Sequence, residues 1–283
     1  MEKQEKQAIE ILHMMCGNNG CVISDSGGKD SSVLKHIALK VKNRYGLEYK
    51  IRHNHTTVDA PETVYFIRRE KEKYEAMGVP YEIFYPAQSM WQLIVSHGTP
   101  PTRIMRYCCK DLKENTGLGE KLVTGVRKAE SRNRKENQGI VTITNPKKKL
   151  VSEIEENENF QLTNKGGVVV LNLDNSETRR IVENCYRTQK TLINPLIDWD
   201  DDFLYWYIRK ENIELAVLGI ATPFAPLLDL DIITISAFFM PIALSLTFSK
   251  EMWIMDAYYW EVKEREEKHE QHVHKKPRQR KAV

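Results

Sequence analysis

The sequence lacks several features that would assign it to a simple functional class. Basic and acidic residues nearly balance, 42 against 39, so the overall charge argues neither for nor against a nucleic-acid partner. Cysteine is scarce and odd in number, at five, and the polar N-terminus Met-Glu-Lys-Gln-Glu-Lys lacks the apolar core of a signal peptide. We therefore expect a reducing, cytoplasmic setting in which the thiols are reduced or bind metal.

A glycine-rich turn between a strand and a helix is the most informative stretch. The apolar run Cys21-Val-Ile23 predicts a buried strand, and a helical pattern follows from residue 31 to about residue 44. Backbone N–H groups at a helix N-terminus bind anions, and paired glycines let the anion approach the backbone. The turn is not the P-loop G-x-x-x-x-G-K-S/T, because an acidic residue follows the lysine. The candidate phosphate-binding residues are Ser24, Ser26, Gly27, Gly28, Lys29, Asp30 and Ser31.

Strands and helices alternate along the first hundred residues. This order predicts β-α-β units and an α/β fold with a parallel sheet flanked by helices. Ligands on such sheets bind beyond the carboxyl ends of the strands, so the loops after Ile23 and His53 are expected on one rim. The second loop contributes the candidate residues Asn54, Thr56, Asp59 and Glu62.

Both loops resemble those of a known protein group. Ser26-Gly-Gly-Lys-Asp-Ser31 resembles the S-G-G-x-D-S loop of the ATP pyrophosphatase and phosphoadenosine phosphosulfate (PAPS) reductase group, and Asp59-Ala-Pro-Glu-Thr63 is similar to the D-x-P-E-T element of the reductases. A simple helix cap would also explain the proline and glutamate of the second element. The resemblance covers about residues 15–213 and implies a Rossmann-like, adenine nucleotide alpha hydrolase-like fold.

Adjacent cysteines follow in a basic segment. Cys108 and Cys109 have basic neighbours that favour the thiolate, although two small buried residues would give the same pattern. The pair resembles the Cys-Cys-x-x-x-Lys segment of the reductase family, which implies that it lies near the site. Cluster-bearing members hold a 4Fe-4S cluster with a later C-x-x-C, which is absent here. Cys185 is the third candidate ligand of an incomplete set.

A basic stretch after the next predicted strand matches a further family motif. The motif G-x-R-x-x-E-S-x-x-R is present at Gly125, Arg127, Glu130, Ser131 and Arg134. Guanidinium groups bind oxyanions bidentately, so we expect Arg127 and Arg134 to neutralise a phosphate or sulfate group. A solvated basic helix start is the structural alternative.

The remaining sequence is predicted to be structural or atypical. Residues 138–173 suggest a β insertion on the surface, and Trp199 and Phe203 are predicted core residues in a segment that resembles the family. The resemblance ends after Glu214, where residues 215–248 contain no Cys, Lys or Arg. Three interpretations of residues 214–260 are open: a membrane hairpin, a buried cap, or sequence from a displaced reading frame. We favour the last. The tail at 261–283 is expected to be disordered, with a weak metal pattern at His269, His272 and His274.

Two reactions fit the resemblance. A PAPS reductase-like enzyme would bind a sulfonucleotide and use a thiolate from the cysteines, with a thiol donor protein as partner. An ATP pyrophosphatase-type enzyme would bind ATP with Mg²⁺ near Asp30 and transfer sulfur to nucleic acid or another acceptor. A nucleotide-binding remnant without turnover is the third alternative. A homo-oligomer fits each of these, and a membrane partner is not expected.

Overall fold

The fold is seen in a computed structural model that describes residues 2–17, 20–102, 105–113, 116–117, 119–144, 146–154, 157–173, 175–188 and 190–216. The atypical segment from residue 217 onward and the charged tail lie outside the described residues. In the described part, no helix is long and apolar enough to cross a membrane. The chain divides into two units. The second unit holds residues 56–59 and the described part of 86–108, and the first unit holds the other described residues.

A mixed sheet of eight strands forms the centre of the first unit. The strands are β1 (Cys21–Asp25), β2 (Tyr49–Asn54), β3 (Tyr81–Phe84), β4 (Lys121–Val123), β5 (Val141–Thr144), β6 (Phe160–Leu162), β7 (Val168–Val170) and β8 (Lys190–Ile193). Their order is β3-β2-β1-β4-β8-β5-β7-β6. The first five strands in this order are parallel, as predicted. The parallel part brings the loops after β1, β2 and β4 to one edge of the sheet.

Helices follow most of the strands. They are α1 (Glu2–Cys16), α2 (Lys29–Tyr45), α3 (Pro61–Ala76), α4 (Met90–His97), α5 (Arg132–Asn137), α6 (Lys148–Ile154), α7 (Ser176–Thr188) and α8 (Asp201–Lys210). Helix α2 starts where the glycine-rich turn ends and stops at Gly46, whose φ of 71° is left-handed. Helix α3 has Pro61 in its first turn, as the sequence predicted.

The predicted β insertion belongs to the main sheet. Strand β5 pairs antiparallel with β8 and with β7, and β7 pairs antiparallel with β6. The predicted surface position does not hold for β5 and β7, because Val141, Ile143, Val168 and Val170 are buried in the core. Residues 138–173 therefore widen the sheet.

The core of the first unit includes the two aromatic residues predicted to be structural. Trp199 and Phe203 are each 3% exposed and lie edge to face, 4.4 Å apart between ring centroids. Asp200 caps α8 by accepting a hydrogen bond from the Phe203 N–H at 2.7 Å. These contacts fix the start of α8, which matters for the site below.

The second unit centres on α4. Ser89 and Gln92 form a reciprocal capping box at its N-terminus. The Met90 N–H donates to Thr57 Oγ1 at 2.8 Å, and Thr57 has a left-handed φ of 66°. A β-branched residue in this region is strained, so the contact with α4 holds an unfavourable backbone conformation.

Candidate functional site

The glycine-rich turn leaves the N-terminus of α2 without a side-chain cap. Gly28 is the N-cap residue, and no side chain in the described structure accepts a hydrogen bond from the first turn of the helix at this position. The first N–H groups of a helix have no intrahelical acceptor, and they carry a partial positive charge. The turn therefore presents an anion site to the edge of the sheet where the strands end.

Hydrogen bonds within the turn set its shape. The Gly27 N–H donates to Asp25 Oδ1 at 2.8 Å, and the Gly28 N–H lies 3.4 Å from Ser26 Oγ. The Ser31 hydroxyl donates to the Gly28 carbonyl at 2.9 Å. Ser31 is buried and Ser26 is exposed, while Ser24 is partly buried in β1. Ser31 thus shapes the turn, and Ser26 remains the hydroxyl that faces solvent.

A buried network of charged side chains holds the turn from its core side. The sequence analysis did not predict this network. Asp25 is 2% exposed, and its carboxylate accepts from Lys35 Nζ at 2.6 Å and from the Tyr81 hydroxyl at 2.6 Å. Lys35 is fully buried and also binds Glu70 at 3.0 Å. Burial alone would raise the pKa of Asp25, but Lys35, Tyr81 and the Gly27 N–H outweigh it and hold that pKa below its ordinary value. The one available signal was a lysine between Leu34 and Ile37 on the apolar face of α2.

Arg127 binds two carboxylates and a backbone carbonyl of the site. It is 1% exposed, and its Nε donates to Asp30 Oδ1 at 2.5 Å. Its two other nitrogens donate to the Trp199 carbonyl at 3.2 Å and to Asp201 Oδ1 at 2.7 Å. Burial would lower the pKa of Arg127, but Asp30 and Asp201 raise it. The guanidinium therefore links the first turn of α2 to the first turn of α8.

Gly125 brings the loop after β4 against the first turn of α2. A Cβ atom at this position would lie 3.0 Å from the carbonyl carbon and oxygen of Asp30. Only glycine allows this approach without a shift of the backbone. A larger residue at the first glycine of the motif would therefore crowd the backbone of Asp30, whose side chain binds Arg127.

The other motif residues lie beside Arg127. The Arg127 N–H donates to Glu130 Oε2 at 2.9 Å, and Glu130 also forms an ion pair with Arg134. Ser131 caps α5 by accepting from the Arg134 N–H at 3.3 Å. Burial lowers the pKa of Arg134, with Asp30 opposing this effect and Arg127 adding to it. The Arg134 side chain is 38% exposed, so of the two arginines it is the one that solvent or a ligand reaches.

The second loop is held by its own contacts. Asn54 Nδ2 donates to the Lys113 carbonyl and to Thr116 Oγ1, each at 3.0 Å. In the second unit, the Thr56 N–H donates to Asp59 Oδ2 at 2.8 Å and closes the turn. Asp59 does not cap α3, whose N-cap is Ala60, and Glu62 is exposed in the first turn of α3. The role of Asn54, Thr56, Asp59 and Glu62 in nucleotide binding stays a prediction.

Thr63 of the same motif contacts the glycine-rich turn. A Cβ atom on Gly27 would lie 3.0 Å from Thr63 Cγ2, and Gly27 has a left-handed φ of 74°. Both facts favour glycine at this position. The two motifs that resemble one family thus contact each other in the structure.

A comparison with known families agrees with this geometry. The family of the phosphoadenosine phosphosulfate reductase domain matches residues 20–219. This stretch covers the sheet and the whole of the site described above. The chain belongs to this family. No curated protein matches the chain.

Several solved structures resemble this member of the PAPS reductase family. The phosphate complex of phosphoadenylyl-sulfate reductase from Candida auris is 13% identical, with 76% of this chain and 87% of that chain covered at a TM-score of 0.44. The U34-tRNA thiolase NcsA from Methanococcus maripaludis, with its 4Fe-4S cluster, is 12% identical over 76% of this chain and 66% of that chain, also at 0.44. Candida glabrata FMN adenylyltransferase in complex with ATP is 13% identical over 76% of this chain and 57% of that chain, at 0.34.

The three cysteines predicted as cluster ligands differ in their surroundings. Cys108 and Cys109 are half-buried, and Cys109 begins a π-helical turn that ends at Lys113. Cys185 is 4% exposed within the hydrophobic core. Among the residues that the structure describes, no three His, Cys, Asp or Glu side chains are grouped to bind a metal ion. The role of Cys108, Cys109 and Cys185 as ligands of an iron–sulfur cluster stays a prediction.

Proposed function

We propose that this member of the PAPS reductase family is an enzyme that binds an adenine nucleotide, with the nucleotide's phosphate or sulfate group at the N-terminus of α2. The supporting observation is the uncapped first turn of α2, held between Asp25 on one side and Arg127 on the other. The turn is fixed before a ligand arrives, so binding does not have to order it. Ser26, Lys29 and Arg134 supply the side-chain donors.

Asp30 acts as a positioning residue in this account. Its Oδ1 accepts from Arg127, and its Oδ2 lies 4.0 Å from Lys29 Nζ. Two cations already balance its charge, which disfavours a further cation at the same carboxylate. Asp30 therefore orients Arg127 and the first turn of α2, and Mg²⁺ is not assigned to it.

The leading reaction is reduction of a sulfonucleotide. A cysteine thiolate attacks the sulfur of the sulfate group, the bond from that sulfur to the phosphate oxygen breaks, and the nucleotide leaves with the bonding electron pair. The sulfonate stays on the cysteine until a donor thiolate attacks the cysteine sulfur, releases sulfite and leaves a mixed disulfide. A second donor thiol then reduces this disulfide. We assign the attack to Cys109, which belongs to the same unit as the turn, with Cys108 as its neighbour in the motif.

A second reaction is favoured by one observation in the sequence. The turn reads S-G-G-K-D-S, which resembles the ATP-using branch more closely than the reductase branch. In that case Mg²⁺ would arrive with ATP, bound by its phosphates. An oxygen of the acceptor, or of water when no acceptor is present, would attack the α-phosphate, and pyrophosphate would leave. The role of the protein at α2 would be the same in both reactions.

Product analysis separates the two reactions. The full chain is incubated with phosphoadenosine phosphosulfate and a dithiol, and separately with ATP and Mg²⁺. Sulfite release that is lost in Cys109→Ser and kept in Cys108→Ser supports the reductase assignment. Pyrophosphate release that survives both substitutions supports the ATP-using branch. Binding of either nucleotide without product supports a nucleotide-binding remnant, and no binding of either nucleotide contradicts the proposal.

A further inference from the structure

An exposed tyrosine lies beside the glycine-rich turn and has no role in the site described above. Tyr205 is in the second turn of α8, and its side chain is 41% exposed. It follows Asp201 by four residues, so both side chains lie on one face of the helix. Asp201 binds Arg127, and Arg127 binds Asp30 in the first turn of α2. The face of α8 that carries Tyr205 is therefore directed toward the turn.

The ring of this tyrosine contacts the lysine of the turn. Lys29 Nζ lies over the Tyr205 ring, 5.8 Å from its centroid. A cation within about 6 Å of an aromatic ring centroid is attracted to the negative face of the ring. The Lys29 side chain is 19% exposed, so a ligand can still reach the ammonium group. The contact therefore restrains Lys29 without burying it.

The nearest carboxylate binds Lys29 only weakly. Lys29 Nζ is 4.0 Å from Asp30 Oδ2, which is too far for a hydrogen bond. No carboxylate among the described residues lies closer to this ammonium group. The other oxygen of Asp30 accepts a hydrogen bond from Arg127. The ring of Tyr205 is thus the closer restraint on the direction of the Lys29 side chain.

An aromatic partner suits a lysine that has to bind phosphate. A carboxylate in close contact would accept hydrogen bonds from the ammonium group and would compete with an anionic ligand. The face of a ring attracts the ammonium group while its N–H donors stay available. A side chain that is restrained in the empty protein also loses less conformational entropy when the ligand binds.

We propose that Tyr205 is a positioning residue, which holds the Lys29 ammonium group beside the N-terminus of α2 for the phosphate or sulfate group of a nucleotide. The proposal rests on the proposed function, because it requires that the glycine-rich turn binds this anion. Tyr205 acts through Lys29 and does not itself need to contact the ligand.

Calorimetric titration with adenosine 3′,5′-bisphosphate and with adenosine tests this role. Tyr205→Leu should weaken bisphosphate binding about two- to fivefold, which is the effect of one exposed cation–π contact. Tyr205→Phe keeps the ring and should bind the bisphosphate as tightly as the unaltered chain. Adenosine carries no phosphate, so its affinity should be the same for all three proteins.

Two controls separate positioning from a general loss of structure. Tyr45 at the other end of α2 is 42% exposed, and Arg44 Cζ lies 5.1 Å from the centroid of its ring. Tyr45→Leu therefore removes a similar contact far from the turn and should leave bisphosphate affinity unchanged. In a Lys29→Gln background, Tyr205→Leu should have no further effect, because both residues act through one ammonium group.

NMR of the lysine methylene groups tests the position of Lys29 without a nucleotide. Protons over an aromatic face are shielded by the ring current, so Tyr205→Leu should move the Lys29 Hε signal downfield and Tyr205→Phe should not. Lys29→Gln assigns this signal by removing it.

The proposal is overturned if the Lys29 signal stays in place in Tyr205→Leu, or if Tyr205→Leu binds the bisphosphate as tightly as the unaltered chain. It is also overturned if Tyr205→Phe loses as much affinity as Tyr205→Leu, or if adenosine binding falls in parallel. Failure of the unaltered chain to bind the bisphosphate would contradict the proposed function itself, and the NMR signal would still report whether Tyr205 holds Lys29.

Discussion

Two separate features disfavour a larger residue at Gly27: its backbone conformation and its contact with Thr63. Its φ of 74° is left-handed, and a Cβ atom would lie 3.0 Å from Thr63 Cγ2. Gly46 has a similar φ of 71°, but a Cβ atom there would meet nothing within 4 Å. Alanine substitutions at Gly27 and Gly46 therefore separate the cost of the left-handed backbone conformation from the cost of crowding Thr63.

Gly27→Ala should be more destabilising than Gly46→Ala. The left-handed conformation should cost each variant about 1–2 kcal/mol, and overpacking against Thr63 should add about 1–3 kcal/mol to Gly27→Ala. Urea denaturation of both variants measures the difference. Equal losses would mean that Thr63 does not contact the turn.

Asp25 should make the free energy of unfolding depend on pH in the acid range. Its pKa is lowered in the folded protein from an ordinary value of 3.8, so its contribution is present above that pH and is lost as pH falls through the folded value. Asp25→Asn should cost about 3 kcal/mol at neutral pH, because Lys35 loses a buried partner. The difference in the free energy of unfolding between Asp25→Asn and the unaltered chain should shrink below pH 3.8. A difference independent of pH would contradict the network.

Arg127 should be sensitive to a change that keeps its charge. Arg127→Lys cannot bind Asp30, Asp201 and the Trp199 carbonyl together, so we expect a loss of about 2 kcal/mol in stability and weaker nucleotide binding. Arg132→Lys is the matched control, because the Arg132 side chain is 91% exposed and pairs only with Glu136 among described residues. Its change should stay within about 0.5 kcal/mol. Similar effects of both substitutions would argue against the role assigned to Arg127.

The helices and parallel strands followed from local patterns, and the sheet extension did not. The turn, α2, β2 and α3 have strong start and stop signals, including two glycines, Pro61 and a left-handed Gly46. Residues 138–173 were correctly predicted to be β-rich, but strand pairing depends on contacts far apart in sequence, such as Val141 with Ile193. The same reason explains why the burial of Arg127 and Lys35 was missed. The sequence shows that both residues are charged, but only the packing of distant elements decides whether each side chain faces solvent or the core.

The strands at 138–173 should be needed for the stability of the whole sheet. Ile143→Ala should cost about 2–5 kcal/mol, because Ile143 is fully buried in β5. Leu162→Ala in β6 is the control, since Leu162 is 43% exposed and should lose much less. Thermal unfolding of both variants tests this. A small effect at Ile143 would mean that the extension is dispensable.

Three motifs far apart in the sequence form one connected site in the first unit. Thr63 contacts the turn, Gly125 lies against Asp30, and Arg127 joins α2 to α8. Family membership supports the same assignment, since the matched residues 20–219 include all of these contacts. What the family match leaves open is the reaction, because both candidate reactions use the same anion site.

The central claim is that the N-terminus of α2 binds the phosphate group of an adenine nucleotide, and the most direct test is nucleotide binding by Gly28→Asp. Gly28 has a φ of −86°, and a Cβ atom would meet only Ser26 Oγ at 3.4 Å, so the substitution fits. An aspartate at an N-cap stabilises a helix, while its carboxylate competes with phosphate for the same N–H groups. Gly28→Asn is the uncharged control.

Calorimetric titration with adenosine 3′,5′-bisphosphate and with adenosine supplies the measurement. We expect Gly28→Asp to unfold at a higher temperature than the unaltered chain and to lose bisphosphate binding at least about tenfold, with adenosine binding unchanged. Gly28→Asn should lose less. Undiminished bisphosphate binding by a folded Gly28→Asp would contradict the account, because the phosphate would then bind elsewhere.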